Sequence, residues 1–144
     1  MVKNANLTAY IEAFEQLSPE TLPQLAERFS ESVLFKDPFN CVTGKSATLA
    51  IFEHMFATTQ SPQFIVIDAA MDGDIALLYW KFYFVLPSSQ KQQCIEGMSR
   101  VQFNEEGLVT EHIDHWDAGE QVYGKIPLLN WLIKLVRKRL SARH

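Results

Sequence analysis

Cysteine is scarce in this chain: Cys41 and Cys94 are the only two in 144 residues. Their spacing matches no metal-ligand pattern and gives no ground for a disulfide, so two free thiols in a reducing cytoplasm are expected. No apolar run is long enough to span a membrane. The opening stretch MVKNANLTAYIEAFEQL lacks the unbroken apolar core and small-residue cleavage site of a secretory signal, which also points to the cytoplasm. Acidic residues are absent beyond Glu120. Phe39 stands five positions before Gly44, where a phosphate-binding loop would need another glycine, so GKS at 44–46 is not such a loop. No serine lies in a nucleophile-elbow context, and neither cysteine has a flanking base pattern that would mark a nucleophile.

The chain does have a globular composition. Hydrophobic residues make up 47% and charged residues 21%, which excludes a disordered chain, and the length suits one domain with its own core. Charge is unevenly divided. Residues 1–124 carry all 17 Asp/Glu against seven Lys/Arg, a net of −10, while residues 125–144 carry six basic residues and no acid, a net of +6. An acidic body argues against nucleic acid as a partner.

Leu7, Tyr10, Ile11, Phe14 and Leu17 recur at helical spacing and predict an amphipathic helix over 7–17. Ser18-Pro19 ends it, and a second helix is expected over about 21–29. VLFKD at 33–37 reads as a short strand stopped by Pro38, and Ser46 as the N-cap of a helix over 47–58. Strands follow at 64–71, 75–86, 92–103 and 108–117, the first pair joined by a hairpin at Asp72-Gly73. Pro127 opens a last helix. Helices gathered on one side of a curved antiparallel sheet make an α+β fold, and a strongly bent sheet covered by helices encloses a cavity suited to a small molecule.

The densest polar cluster is HIDHWD at 112–117. On a strand, His112, Asp114 and Trp116 share one face, and Ile113, His115 and Asp117 the other. The cluster is open to three readings: a solvent-facing strand end, a metal site, or the wall of a pocket. His112 and Asp114 offer two ligands and Asp37 a third, but the spacing fits no metal motif, so no metal is expected. Side by side on one face, a carboxylate and an imidazole can also move a proton, or simply satisfy each other.

FKDPF at 35–39, GKSA at 44–47 and FNEEGLVTEHIDHW at 103–116, in that order, make residues 7–120 resemble the nuclear transport factor 2-like superfamily, in its SnoaL-like and ketosteroid isomerase-like branch. The resemblance implies a cone-shaped curved antiparallel sheet packed by three N-terminal helices, to which this chain adds a C-terminal helix. It implies that Asp37 is a general base, against the plainer reading that Asp37 caps the turn before Pro38. It places Phe14 and Ser99 at or near the positions that form the oxyanion hole in ketosteroid isomerases. Phe14 cannot donate a hydrogen bond and a serine is a weaker donor than a neutral carboxylic acid, so steroid isomerisation is not expected. The same alignment turns Leu77, Tyr79, Lys81, Tyr83, Ser99, His112, Asp114 and Trp116 inward. It leaves Trp80, Phe82 and Phe84 on an outer face that a second copy would cover, giving a homodimer.

The expectation is thus a domain over 1–124 with a pocket for an apolar, oxygen-bearing molecule. It would be an isomerase, cyclase or dehydratase that needs no cofactor. Asp37, His112 and Asp114 would be its catalytic residues, with Phe14, Leu77, Tyr79, Lys81, Ser99 and Trp116 lining the pocket. The alternative is a non-catalytic carrier of a lipid-like ligand. In residues 125–144, Leu128, Leu129, Leu132, Ile133, Leu135, Val136 and Leu140 form a broad stripe opposite Lys134, Arg137 and Lys138. Packing on its own domain or a dimer mate is the expected role of this helix, and docking on an anionic membrane surface the alternative.

Overall fold

The computed structural model describes residues 4–121 and 127–141. The first helix, α1 (Ala5–Glu15), starts at Asn4, whose side-chain oxygen accepts the Asn6 and Leu7 amides at 2.9 and 3.2 Å. That bond satisfies two of the donors a helix start leaves open. Leu7, Tyr10 and Phe14, spaced three and four apart, are its buried residues. A short α2 (Leu22–Ala26) follows, and the chain is already extended at Phe29, so β1 (Phe29–Lys36) begins four residues before the predicted strand. Phe29 is fully buried in this strand rather than in a helix.

β2 (Cys41–Thr43), which the sequence reading missed, pairs antiparallel with β1. α3 (Lys45–Thr58) starts from Gly44 at φ 106°, a backbone setting that suits glycine, and not from a Ser46 cap. β3 (Gln60–Asp72), β4 (Ile75–Val85), β5 (Gln92–Phe103) and β6 (Val109–His115) form an antiparallel run. The β3–β4 hairpin turns at Gly73, φ 60°. After α4 (Ala118–Gln121), α5 (Pro127–Leu140) closes the described chain.

The strand order is β2-β1-β6-β5-β4-β3, an unclosed, curved six-stranded sheet in an α+β fold with α1 to α3 on one side. One pairing departs from the expected antiparallel sheet: β1 runs parallel to β6, with Phe35 beside His112. A register break in β3 between Val66 and Asp68 bends that edge. α1 packs over β3 and α3 over β1, so the inner face of the sheet is roofed by helices.

The inner face of β4 carries Ala76, Leu78 and Trp80, all buried, opposite Val101, Ser99 and Gly97 on β5. This corrects the expected register. Leu77, at 48% exposure, Tyr79 and Lys81 lie on the outer face, and Trp80, expected outside, lies inside. The physical reason is on the strand itself. Lys81 is its one charged residue, and on the outer face it pairs with Glu96 at 3.6 Å instead of being buried. Phe82 and Phe84 follow Trp80 onto the inner face, stacked in series with Phe64.

Cys41 and Cys94 are free and exposed. Among the described residues no helix is long and apolar enough to cross a membrane. The boundary at 124/125, Lys125 and Arg143 lie outside the described residues. So do the side chains of Leu128, Leu129 and Ile133.

Candidate functional site

Between α1, α3 and the inner sheet face lies a cavity of about 30 Å³. Ile11 and Phe14 come from α1, Phe52 from α3, and Phe64, Val66, Leu78 and Trp80 from β3 and β4. Ser99, His112 and Asp114 bring the polar atoms. Strand pairing sets these three side by side, since Ser99 lies opposite Asp114 and Val101 opposite His112.

These polar groups form one connected chain. The Tyr10 hydroxyl lies 2.6 Å from His112 Nδ1, and His112 Nε2 lies 2.7 Å from Asp114 Oδ1. The Ser99 hydroxyl donates to the same Asp114 oxygen, and Trp80 Nε1–H donates to Ser99 Oγ at 2.7 Å. Burial, reinforced by the Asp114 charge, holds the Tyr10 phenol well above its ordinary pKa of 10.0. Tyr10 therefore keeps its proton, and in the arrangement where it donates that proton to Nδ1 a neutral histidine carries its own on Nε2, donated to Asp114. Every donor in the chain thus points toward Asp114.

Packing fixes the imidazole as firmly as the bonds do. His112 is 3% exposed and stacks between Phe35 and Phe14, with ring centroids 5.0 and 5.4 Å away. Tyr10 meets Phe14, Phe29 and Phe103 edge to face. The Trp80 indole lies against Gly97, where an added Cβ would come within 2.6 Å of the ring. Glycine at that point lets the indole reach across to Ser99.

Asp114 faces two spaces. It lines the cavity and also a shallow cleft of about 420 Å³ bounded by Lys36, Asp37, Pro38, His115 and Trp116. Both of its bonds fall on Oδ1, and among the described residues none reaches Oδ2. Asp37 sits on the cleft with its carboxylate already engaged: Oδ1 accepts the Phe39 and Asn40 amides at 2.8 and 2.7 Å, and Asn40 Nδ2 reaches both oxygens at 3.1 Å. That is the turn-capping arrangement that accompanies an Asp-Pro step. Trp116 packs edge to face on Phe39 at the same cleft and not in the cavity.

The structure thus brings Phe14, Ser99, His112 and Asp114 together at the cavity; of these only Asp114 also borders the cleft of Asp37 and Trp116, and Leu77, Tyr79 and Lys81 lie on the outer face. Tyr79 there donates to Glu96 at 2.8 Å. Two members of the polar chain, Tyr10 and Trp80, were missed. A tyrosine in the middle of an apolar helical stripe must find a partner for its hydroxyl, which was the available signal for Tyr10. For Trp80 the signal was the small residue Gly97 available across the hairpin. Among the described residues no set of three His, Cys, Asp or Glu is placed to hold a metal ion.

The model of the SnoaL-like domain family matches residues 7–112. A nuclear transport factor 2-like protein of unknown function from Burkholderia pseudomallei K96243 superposes with a TM-score of 0.74 at 13% identity, over 83% of this chain and 96% of that one. A protein with a ketosteroid isomerase-like fold from Catenulispora acidiphila DSM 44928, in complex with trimethylamine, gives 0.72 at 14% identity, over 90% and 98%. A protein assigned as a SnoaL-like polyketide cyclase from Shewanella putrefaciens CN-32 gives 0.72 at 14% identity, over 88% and 99%. At such identities the likeness is one of fold. No curated protein matches the sequence. With its matched stretch running from α1 to His112 on β6, the chain belongs to the SnoaL-like domain family, on a fold like that of nuclear transport factor 2-like proteins.

Proposed function

We propose that this small-molecule pocket protein is an isomerase, cyclase or dehydratase that moves a proton with Asp114 and needs no cofactor. The observation that carries the reading is the asymmetry of one carboxylate. Ser99 and His112 hold Oδ1, while Oδ2 takes no bond from the described residues and the residue borders both cavity and cleft. Two donors fix the orientation of the group, and the second oxygen can then take a proton from a carbon next to a carbonyl and return it elsewhere. His112 has both ring nitrogens engaged, so in this reading it is a positioning residue that holds Asp114 in place. Asp37, its oxygens engaged by the turn it closes, shapes the rim.

The cavity has room for one or two water molecules. Ligand pockets run to roughly 300 Å³ and more, so a substrate reaches Asp114 from the cleft, which is of that size. Trp116 and Pro38 supply apolar walls there and Lys36 a cation, which suits an apolar substrate bearing a carbonyl or enolate oxygen.

Deuterium incorporation from heavy water into an apolar cyclic ketone such as 2-tetralone, followed by NMR, tests this. The wild type is expected to exceed the buffer rate, Asp114→Asn to lose on the order of a hundredfold or more, and Asp37→Asn to stay within a few-fold. An Asp114→Asn variant as fast as the wild type would sink the reading. The almost wholly apolar cavity wall favours one rival, a carrier of a lipid-like ligand. Tight ketone binding with no exchange above buffer would select it.

The outer sheet face exposes Ile65, Ile67, Leu77 and Met98. Apolar area of that extent supports a homodimer through this face, now built from these residues instead of Trp80, Phe82 and Phe84.

A further inference from the structure

None of the described side chains of α5 lines the cavity or the cleft, and those side chains are open to solvent. Leu132 and Val136 are 52% exposed and Leu140 80%, with Leu135 exposed beside them. Leu132, Val136 and Leu140 follow at four-residue spacing on a helix of 14 residues, with Leu135 three from Leu132, so they form one ridge along its length. The basic residues Lys134 and Lys138 fall on the opposite side, while Arg139 enters the ridge itself near its C-terminal end. Arg137 turns back to Asp117 at 3.0 Å, tying the helix to the end of β6. The sequence adds Leu128, Leu129, Trp131 and Ile133 to a helix that has no acidic residue anywhere along it.

We propose that α5 lies on an anionic lipid surface, its leucine and valine ridge in the acyl boundary and its lysines and arginines at the headgroup phosphates. A broad apolar stripe, a polar face with several basic residues and no acid, and a tryptophan in the sequence are the marks of helices that lie in the interfacial plane. The source of the negative charge is decided by what the protein itself offers. On the outer sheet face, the apolar surface a second copy would present, Glu96 is paired with Lys81 and Glu111 with Arg100 at 3.0 Å. Those two carboxylates are already matched, which leaves Asp68 and Asp72 at the β3 edge of that face, whereas a lipid surface supplies unmatched anions in number. The acidic body does not oppose this, because repulsion from the surface is screened beyond about 8 Å.

The test is co-sedimentation of the full chain with phosphatidylcholine vesicles, with and without about 30% phosphatidylserine. The expected result is pelleting that needs phosphatidylserine and is lost at high salt. Replacing Lys134, Lys138 and Arg139 by serine should weaken it on the order of a hundredfold, and Leu132→Asp with Val136→Asp should abolish it. Circular dichroism of both variants checks that the domain stays folded; the charge variant leaves the apolar ridge whole. No pelleting at low salt, or pelleting indifferent to phosphatidylserine, would overturn the proposal. So would a wild-type dimer that Leu132→Asp with Val136→Asp converts to monomer without any vesicle binding, since the ridge would then be buried between copies.

Discussion

Tyr10 shows how much one hydroxyl can organise. Its bond to His112 pairs with one tautomer, that tautomer donates to Asp114, and Asp114 keeps one oxygen that takes no bond from the described residues. Tyr10→Phe strands Nδ1 in a buried site, which should cost about 1–3 kcal/mol in a urea titration. The pH dependence has a definite sign. The folded phenol titrates above 10.0 and the unfolded one at that value, so the contribution is whole below pH 10.0 and is lost as pH rises beyond it. Urea titrations of wild type and Tyr10→Phe at neutral and strongly alkaline pH should show that component in the wild type and not in the variant; parallel losses in both would contradict it. Gly97→Ala should push the Trp80 indole off Ser99, seen as a changed Trp80 Nε1–H resonance with His112 and Asp114 still in contact. At this scale the sequence shows which residue types share a strand face, His112 with Asp114, because alternation is a rigid rule. It does not show which partner each one takes. Asp37 is the case in point: an aspartate before proline serves a base and a turn equally well until the neighbouring amides are seen.

Elements with a clear period were legible and the element without one was not. α1 announces itself by Leu7, Tyr10 and Phe14, and the β3–β4 hairpin by Asp72-Gly73. β4, IALLYWKFYFV, is apolar on both faces, so alternation carries no sign and a slip of one residue exchanges the faces. Lys81 was the one marker of the outer side. The parallel β1–β6 pairing and the three-residue β2 were beyond a reading of local pattern, since both depend on strands distant in the chain. The register makes a sharp prediction. Leu78→Ala should destabilise the protein by about 2–5 kcal/mol, because Leu78 is a packed cavity wall. Leu77→Ala, one residue away on the exposed face, should change stability by about 0.5 kcal/mol or less. Equal effects in thermal or urea unfolding would mean that the faces are reversed.

At the scale of the whole molecule, the α+β order of elements and the landmarks FKDPF, GKSA and FNEEGLV sufficed to read the fold. A curved sheet with helices on one face has few ways to bury its apolar residues. A chemistry is not carried by that fold, which hosts unrelated activities. The proposed one rests on where one carboxylate sits. The outer face can be tested by light scattering: the account expects a dimer that Leu77→Asp with Met98→Asp makes monomeric, while a dimer that survives them uses another surface. Whether Asp114 Oδ2 is the reacting atom is decided by a crystal structure with 2-naphthol, a stable mimic of an enolate. The naphthol oxygen should lie about 3 Å from Asp114 Oδ2, with the Asp37 turn still closed on Phe39 and Asn40. A naphthol oxygen bound by Asp37 instead, with Asp114 untouched, would contradict that assignment.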